Sequence, residues 1–321
     1  MDLIEKAAAG DTLAISRLLS EVENDTPLGQ RALDALYPRA GRAIIIGVTG
    51  PSGSGKSTLV NRLALALASN PEGNALKVGV LAVDPSSPFS GGALLGDRVR
   101  MRDLGTLPNV FIRSMATRGA LGGLARAAEG AAQVLDAVAF GIIIVETVGA
   151  GQAEVDIARM AHTTVVVEAP GLGDDIQAAK AGILEIADVL AVNKADKPGA
   201  EATARSLRVM LEIGTEMMGK EGADDAARWQ IPLVMTCALD GAGVDELKNA
   251  IWSHQRWLNA HGGMEARNRA RASDALERAA REHLFREWRQ GLRDDVYRAV
   301  VDEVVAHRIS PRKALERLLK T

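Results

Sequence analysis

Two short runs hold most of the chemistry legible in this chain of 321 residues. The first is Gly50-Pro51-Ser52-Gly53-Ser54-Gly55-Lys56-Ser57-Thr58, which fits G-x-x-x-x-G-K-[ST]. Its glycines allow successive backbone N–H groups to turn inward around phosphate oxygens. A helix starting near Lys56 would present its positive dipole end to the anion. In that pattern Lys56 reaches the β- and γ-phosphates and the Ser57 hydroxyl ligates Mg²⁺. The second run is Asn193-Lys194-Ala195-Asp196, an N-K-x-D sequence. A carboxylate at Asp196 accepts from both N1–H and the 2-amino group of guanine. Adenine lacks that donor pair and would leave the site unpaired. Asn193 is expected to tie the loop together and the Lys194 stem to cover the base.

Further candidates follow other apolar runs. Thr236-Cys237-Ala238-Leu239 matches the [ST]-[CS]-A-[LK] loop whose backbone supports the base, which makes Cys237 a small loop residue and no nucleophile. Glu146-Thr147-Val148-Gly149 stands where GTPases usually place D-x-x-G, so Glu146 is expected at the metal and the Gly149 N–H at the γ-phosphate. Hard cations take carboxylate oxygens, so Asp84 (in Asp84-Pro85-Ser86-Ser87-Pro88) and Asp97 (in Gly96-Asp97-Arg98) are candidates for the same metal shell. The bland alternative for both is a solvated loop or helix cap. Glu154 is a further candidate acid, with a helix-surface role as its alternative.

These runs need elements to position them. Near-continuous apolar stretches occur at 43–48, 78–83, 142–145, 164–167, 189–192 and 233–235, as expected for strands of a buried parallel sheet. Helical patterns separate several of them, at 58–69, 124–137 and 178–186, which implies an α/β layered fold. Ligands bind at the carboxyl ends of such strands, where the two runs stand. Residues 1–40 read as an N-terminal helical extension, on the spacing of Ile15, Leu18, Leu19 and Val22. Residues 41–260 read as the nucleotide domain. Residues 261–321 read as a C-terminal helical extension, with Leu276, Leu284, Trp288, Leu292, Val296, Val300 and Val304 four or eight apart.

Composition narrows the classes. The formal net charge is −3 and aromatics are 3%, against a bulk nucleic-acid binder or a stacking platform for single strands. One cysteine permits no intrachain disulfide and no multi-cysteine zinc site. No segment approaches the roughly 20 apolar residues of a membrane span, and the first residues do not resemble a signal peptide, so a cytoplasmic protein is expected with no membrane or nucleic-acid partner.

With these residues assembled, the chain resembles the methylmalonyl-CoA mutase-associated GTPases, the MeaB/ArgK family in the SIMIBI branch of P-loop NTPases. The likeness extends from Gly47-Val48-Thr49-Gly50-Pro51 and Ala82–Pro88 through Gly91–Arg98, Glu146–Gln152 and Pro170–Gln177. Phe89-Ser90 departs from it, where a basic residue followed by Thr is expected. The resemblance implies a P-loop NTPase fold: a mostly parallel central sheet flanked by helices, with an N-terminal helical segment and a C-terminal helical dimerisation arm. It implies Mg²⁺-dependent hydrolysis of GTP to GDP and a homodimer. It also implies association with adenosylcobalamin-dependent methylmalonyl-CoA mutase, whose cofactor loading the GTPase gates and which it protects or reactivates. Gln152 is a candidate for positioning the water, and Lys180, in the loop 171–180, for answering the mutase. A nickel metallochaperone of the same branch is disfavoured, because the five histidines, His162, His254, His261, His283 and His307, are scattered. A small-molecule kinase and a non-hydrolysing scaffold are the remaining alternatives. His162, beside a strand, is expected to be a packed or capped residue rather than a ligand.

Overall fold

The computed structural model describes residues 2–69, 76–84, 107–116, 123–147, 152–171, 185–218 and 228–320. Three helices open the chain, each started by a polar side chain that accepts from a first-turn N–H. Asp2 caps α1 (Leu3–Ala8), Asp11 caps α2 (Thr12–Glu23) and Thr26 caps α3 (Pro27–Leu36). Caps of this kind contribute about 1 kcal/mol each. A short 3₁₀ turn, Tyr37–Arg39, leads to β1 (Ile44–Thr49). There follow α4 (Lys56–Ala68), β2 (Val78–Asp84), β3 (Val110–Ala116), α5 (Gly123–Ala137), β4 (Ile142–Thr147), α6 (Gln152–Met160), β5 (Thr163–Glu168), β6 (Val189–Val192), α7 (Ala200–Met218), β7 (Leu233–Met235) and α8 (Val244–Ala260).

The strands form one sheet in the order β3-β2-β4-β1-β5-β6-β7, and every neighbouring pair is parallel. The strand period of two divides the apolar residues between the faces. Ile45, Leu81, Val83, Ile143 and Val145 point to one face, where α1, α2 and α3 share a core with α5 and α6 through Leu18, Leu19, Leu36, Leu135 and Met160. Ile46, Val48, Val80, Ile142 and Ile144 point to the other, covered by Leu59, Leu63 and Leu67 of α4 and by Leu247 and Ile251 of α8. Burial of each such Leu or Ile is worth about 1.5–3 kcal/mol. Both faces are thus closed, and the runs read as buried strands are strands, buried except for β7, whose three residues at the sheet edge are half-buried. β3 was not foreseen. Arg113 and Ser114 interrupt its apolar run, and it lies at the sheet edge beside β2, where Arg113 pairs with Glu23 of α2 at 2.7 Å.

Two compact units are distinguishable, Met1–Met264 and Glu265–Thr321. The second consists mainly of α9 (Gly263–Gly291), α10 (Asp294–Val305) and α11 (Pro311–Leu318). Val300, Ala314 and Leu318 form its small core, with Trp288, Leu292, Val296 and Val304 packed around them. The apolar stripe read in the sequence therefore divides. Its later members face this core, whereas Leu276 and Leu284 on α9 are exposed, at 72% and 63%. Among the described residues, no helix is long and apolar enough to cross a membrane.

Candidate functional site

β1 lies between β4 and β5, where the chain changes its direction of travel across the sheet. In open α/β sheets the crevice at such a switch point, outside the carboxyl ends of the strands, is where ligands bind. The loop 50–55 leaves β1 into this crevice and ends in α4. Gly50 has φ +137°, and a Cβ there would collide with the Val167 carbonyl oxygen. Gly55 has φ +88°, and a Cβ there would lie 2.5 Å from the Asn193 amide nitrogen. Only glycine fits either place. Among the described residues no side chain caps the N-terminus of α4, in contrast to α1, α2 and α3. Its first N–H groups and its dipole face the crevice, an arrangement suited to an anion. Lys56 is buried, and its ammonium donates to the carbonyls of Gly50 at 2.8 Å and Pro51 at 2.9 Å. Ser52 and Gly53 are exposed on the rim, Ser54 is buried beneath it, and Thr58 lies in the first turn of the helix.

Ser57 and Glu146 stand beside it. The Ser57 hydroxyl donates to Glu146 Oε1 at 2.6 Å, and Glu146 is 5% exposed near the end of β4. One hydroxyl and one carboxylate in contact are hard oxygen donors of the type Mg²⁺ takes, with phosphate oxygens and water completing its shell. The residues present therefore fit a magnesium ion. Asp84 ends β2, two pairs beyond the Ala82–Glu146 register, so its backbone stands at the same sheet edge. For Asp84, Gln152 and Glu154 the backbone alone is described, with Gln152 and Glu154 in the first turn of α6. Asp97, Gly149 and Lys180 lie outside the described residues.

The loop after β6 is built on Asn193, which is 1% exposed. Its amide donates to the Ser54 carbonyl at 2.9 Å. Its Oδ1 accepts from Ala238 N–H at 3.1 Å and from the Thr236 hydroxyl at 3.3 Å. One side chain thus joins the phosphate loop to the loop after β7. Lys194 is left-handed, with φ +58°, and its ammonium donates to the Gly53 carbonyl at 2.7 Å. Non-glycine residues held in that region concentrate at functional sites. The Asp196 side chain is 39% exposed and accepts from the Cys237 thiol at 3.4 Å. A backbone hydrogen bond at Asp240 pulls the Cys237 thiol down, but burial and the side chains of Asp240 and Asp196 outweigh it and raise its pKa. The thiol stays neutral, as befits a loop residue rather than a nucleophile. Leu239 stands 72% exposed at the rim.

Arg62 was missed in the sequence. It projects from α4, and its guanidinium donates to the carbonyls of Ala238 at 3.1 Å and Leu239 at 2.7 Å. The available signal was a cation, beside Asn61, between the apolar pair Leu59-Val60 before it and the apolar run Leu63–Ala68 after it. His162 is the capped residue expected: its Nδ1 accepts from Ile45 N–H at 2.9 Å. His254 is wholly buried, with Nδ1 2.9 Å from the Thr163 hydroxyl and Nε2 3.3 Å from Asp188. Among the described residues, no group of three or more His, Cys, Asp or Glu side chains is arranged to hold a metal.

The family model of the Methylmalonyl Co-A mutase-associated GTPase MeaB matches residues 15–292. A Pyrococcus abyssi protein named provisionally as a GTPase is 42% identical over 319 residues, covering 99% of this chain and 95% of its own. The GTPase ArgK of Escherichia coli is 34% identical over 324 residues, covering 98% of this chain and 94% of its own. The crystal structure of LAO/AO transport system kinase superposes with a TM-score of 0.69 over 99% of this chain and 95% of its own, at 24% identity, which speaks to the fold alone. The family match spans the loop 50–58, Glu146 and the turn 193–196 together, and the chain belongs to the methylmalonyl Co-A mutase-associated GTPase (MeaB) family, a guanine-nucleotide-binding GTP hydrolase of the P-loop fold.

Proposed function

We propose that this GTPase serves an adenosylcobalamin-dependent methylmalonyl-CoA mutase as a G-protein chaperone, gating cofactor loading and protecting or reactivating the mutase. The family description, which names association with that mutase, supports the reading. In this reading the protein acts in the cytoplasm as a homodimer. The chain divides into a helical extension at 1–40, a GTPase domain at 41–260 and a dimerisation extension at 261–321. Exposed Leu276, Leu284 and Phe285 on α9 are apolar surface that a second copy would cover.

The observation that carries the nucleotide chemistry is the convergence of Lys56, Ser57, Glu146 and Asn193 on one crevice. On binding, the Lys56 ammonium exchanges its loop carbonyls for β- and γ-phosphate oxygens. The N–H groups of residues 50–58 and the dipole of α4 hold the phosphate charge, and Gly149 meets the γ-phosphate. Asn193 and Lys194 position the base for Asp196, with Cys237, Ala238 and Leu239 behind it. Mg²⁺ would be held by Ser57 and Glu146 with Asp84 and Asp97, and would supply charge neutralisation across the β- and γ-phosphates. Hydrolysis then needs an oriented water more than covalent chemistry, a role for Gln152, with Glu154 a further candidate acid. Lys180 is the residue proposed to transmit the mutase signal.

The test is GTP turnover with and without the mutase, read as free phosphate. Phosphate release without an added acceptor is expected, faster with the mutase present. Unchanged turnover in the presence of the mutase would overturn the chaperone reading. Phosphate released only when a small-molecule acceptor is supplied would identify a kinase instead.

A further inference from the structure

We infer that Arg62 is a positioning residue for base selection, holding the loop 237–240 against the helix that grows out of the phosphate loop. The inference rests on the guanine reading of Asn193, Lys194 and Asp196. An arginine on a helix flank ordinarily lays its stem over apolar surface and keeps its head in water. Arg62 instead spends two donors on consecutive carbonyls, Ala238 and Leu239, at 3.1 and 2.7 Å. A planar fork on two carbonyls fixes orientation as well as distance.

Apolar packing holds Ala238, which joins the core beneath α4, but not the two residues after it. Leu239 is 72% exposed and Asp240 is exposed. Hydrogen bonds hold the segment from both sides. Asn193 accepts from the Ala238 N–H, and Arg62 donates to the carbonyl of the same residue. Asn193 also donates to Ser54, and Arg62 stands six residues after Lys56 on α4. A closed circuit results: phosphate loop, Asn193, Ala238, Arg62, α4, and back to the phosphate loop. Without Arg62 the circuit opens on the base side alone, because Lys56 keeps its carbonyls and Asn193 keeps Ser54. The residues affected are Cys237, whose thiol contacts Asp196, and Ala238, behind the base. The expected consequence is a loss of guanine affinity with little change in the grip on phosphates.

The experiment measures dissociation constants of the full chain for GDP and ADP by calorimetry, in wild type, Arg62→Met and Arg62→Lys. Methionine keeps the stem and removes both donors. For Arg62→Met, GDP affinity is expected to fall about tenfold, about 1.4 kcal/mol, with ADP affinity within about twofold of wild type. Arg62→Lys, with a single ammonium in place of a planar fork, is expected to recover part of the GDP/ADP ratio. If Arg62→Met yields no cooperative thermal transition, Arg62→Lys is read alone, with a ratio lowered about threefold expected. Equal losses for GDP and ADP, or an unchanged ratio in the variants, would overturn the role. A wild-type protein that binds ADP as tightly as GDP would refute the guanine reading itself and the inference with it.

Discussion

Replacing Asn193 by alanine removes the only described side chain that bonds both the phosphate loop and the loop after β7. Two of its hydrogen bonds are well formed, to the Ser54 carbonyl at 2.9 Å and from the Ala238 N–H at 3.1 Å. A third, from the Thr236 hydroxyl at 3.3 Å, is long and counts for less. Ser54 and Ala238 are buried, so water does not readily replace the lost partner at either end. A buried polar group left unpaired costs about 1–3 kcal/mol, and two of them about 2–4 kcal/mol after allowing for partial relaxation. At about 1.4 kcal/mol per tenfold, that corresponds to a weakening of GDP binding of roughly 30- to 700-fold. Part of the penalty will appear instead as a lower thermal midpoint. Calorimetric titration with GDP, run beside a thermal melt of the free protein, separates the two. An Asn193→Ala protein that binds GDP within about threefold of wild type and melts at the same temperature would refute the reasoning, since the two orphaned groups must then have found partners at no cost.

Four other outcomes are expected. Gly55→Ala places a methyl 2.5 Å from the Asn193 amide on a φ of +88°, so binding of a fluorescent GDP analogue is expected to fall by at least about tenfold. Asp196→Asn is expected to shift preference from GTP toward xanthosine triphosphate, read as competing dissociation constants; an unchanged preference would remove Asp196 from the base site. Glu146→Gln, or chelation of magnesium in the wild type, is expected to lower GTP hydrolysis by about 100-fold or more while GDP still binds. Phosphate release that persists under chelation would exclude the proposed metal corner. Leu18→Ala empties a site with no exposed surface between the N-terminal helices and the sheet, at a cost of about 2–5 kcal/mol. Urea unfolding should show that loss in a single transition shared with the sheet.

The parallel sheet was legible because its strands are buried on both faces, so 142–145 and 189–192 are apolar without interruption. The phosphate loop was legible because its geometry is encoded in residue type: Gly50, Gly53 and Gly55 all have positive φ. β3 was hidden because Arg113 is a tertiary residue in a strand. Its charge is answered by Glu23 and its hydrogen bonds by Ser20, neither near it in sequence. Asp136 was equally silent; it sits in α5 and accepts from the N–H groups of Gly41, Arg42 and Ala43, fixing the approach to β1. Arg62 and the carbonyls it holds are 176 and 177 residues apart, and a backbone acceptor has no letter in the sequence. What pattern reading recovers is backbone conformation and burial. What it misses is a long side chain aimed at a distant main-chain atom.

The Lys56 ammonium resting on the carbonyls of its own loop has a kinetic consequence. The lysine is held with the glycines already at positive φ, so in the proposed reading an arriving nucleotide trades one set of contacts for another and orders little new chain. Encounter should then be fast and insensitive to which purine arrives, because the phosphates are common to all of them. In the proposed reading, discrimination between purines is left to the residence time, set by how long the Asn193 turn retains the base once the phosphates have docked.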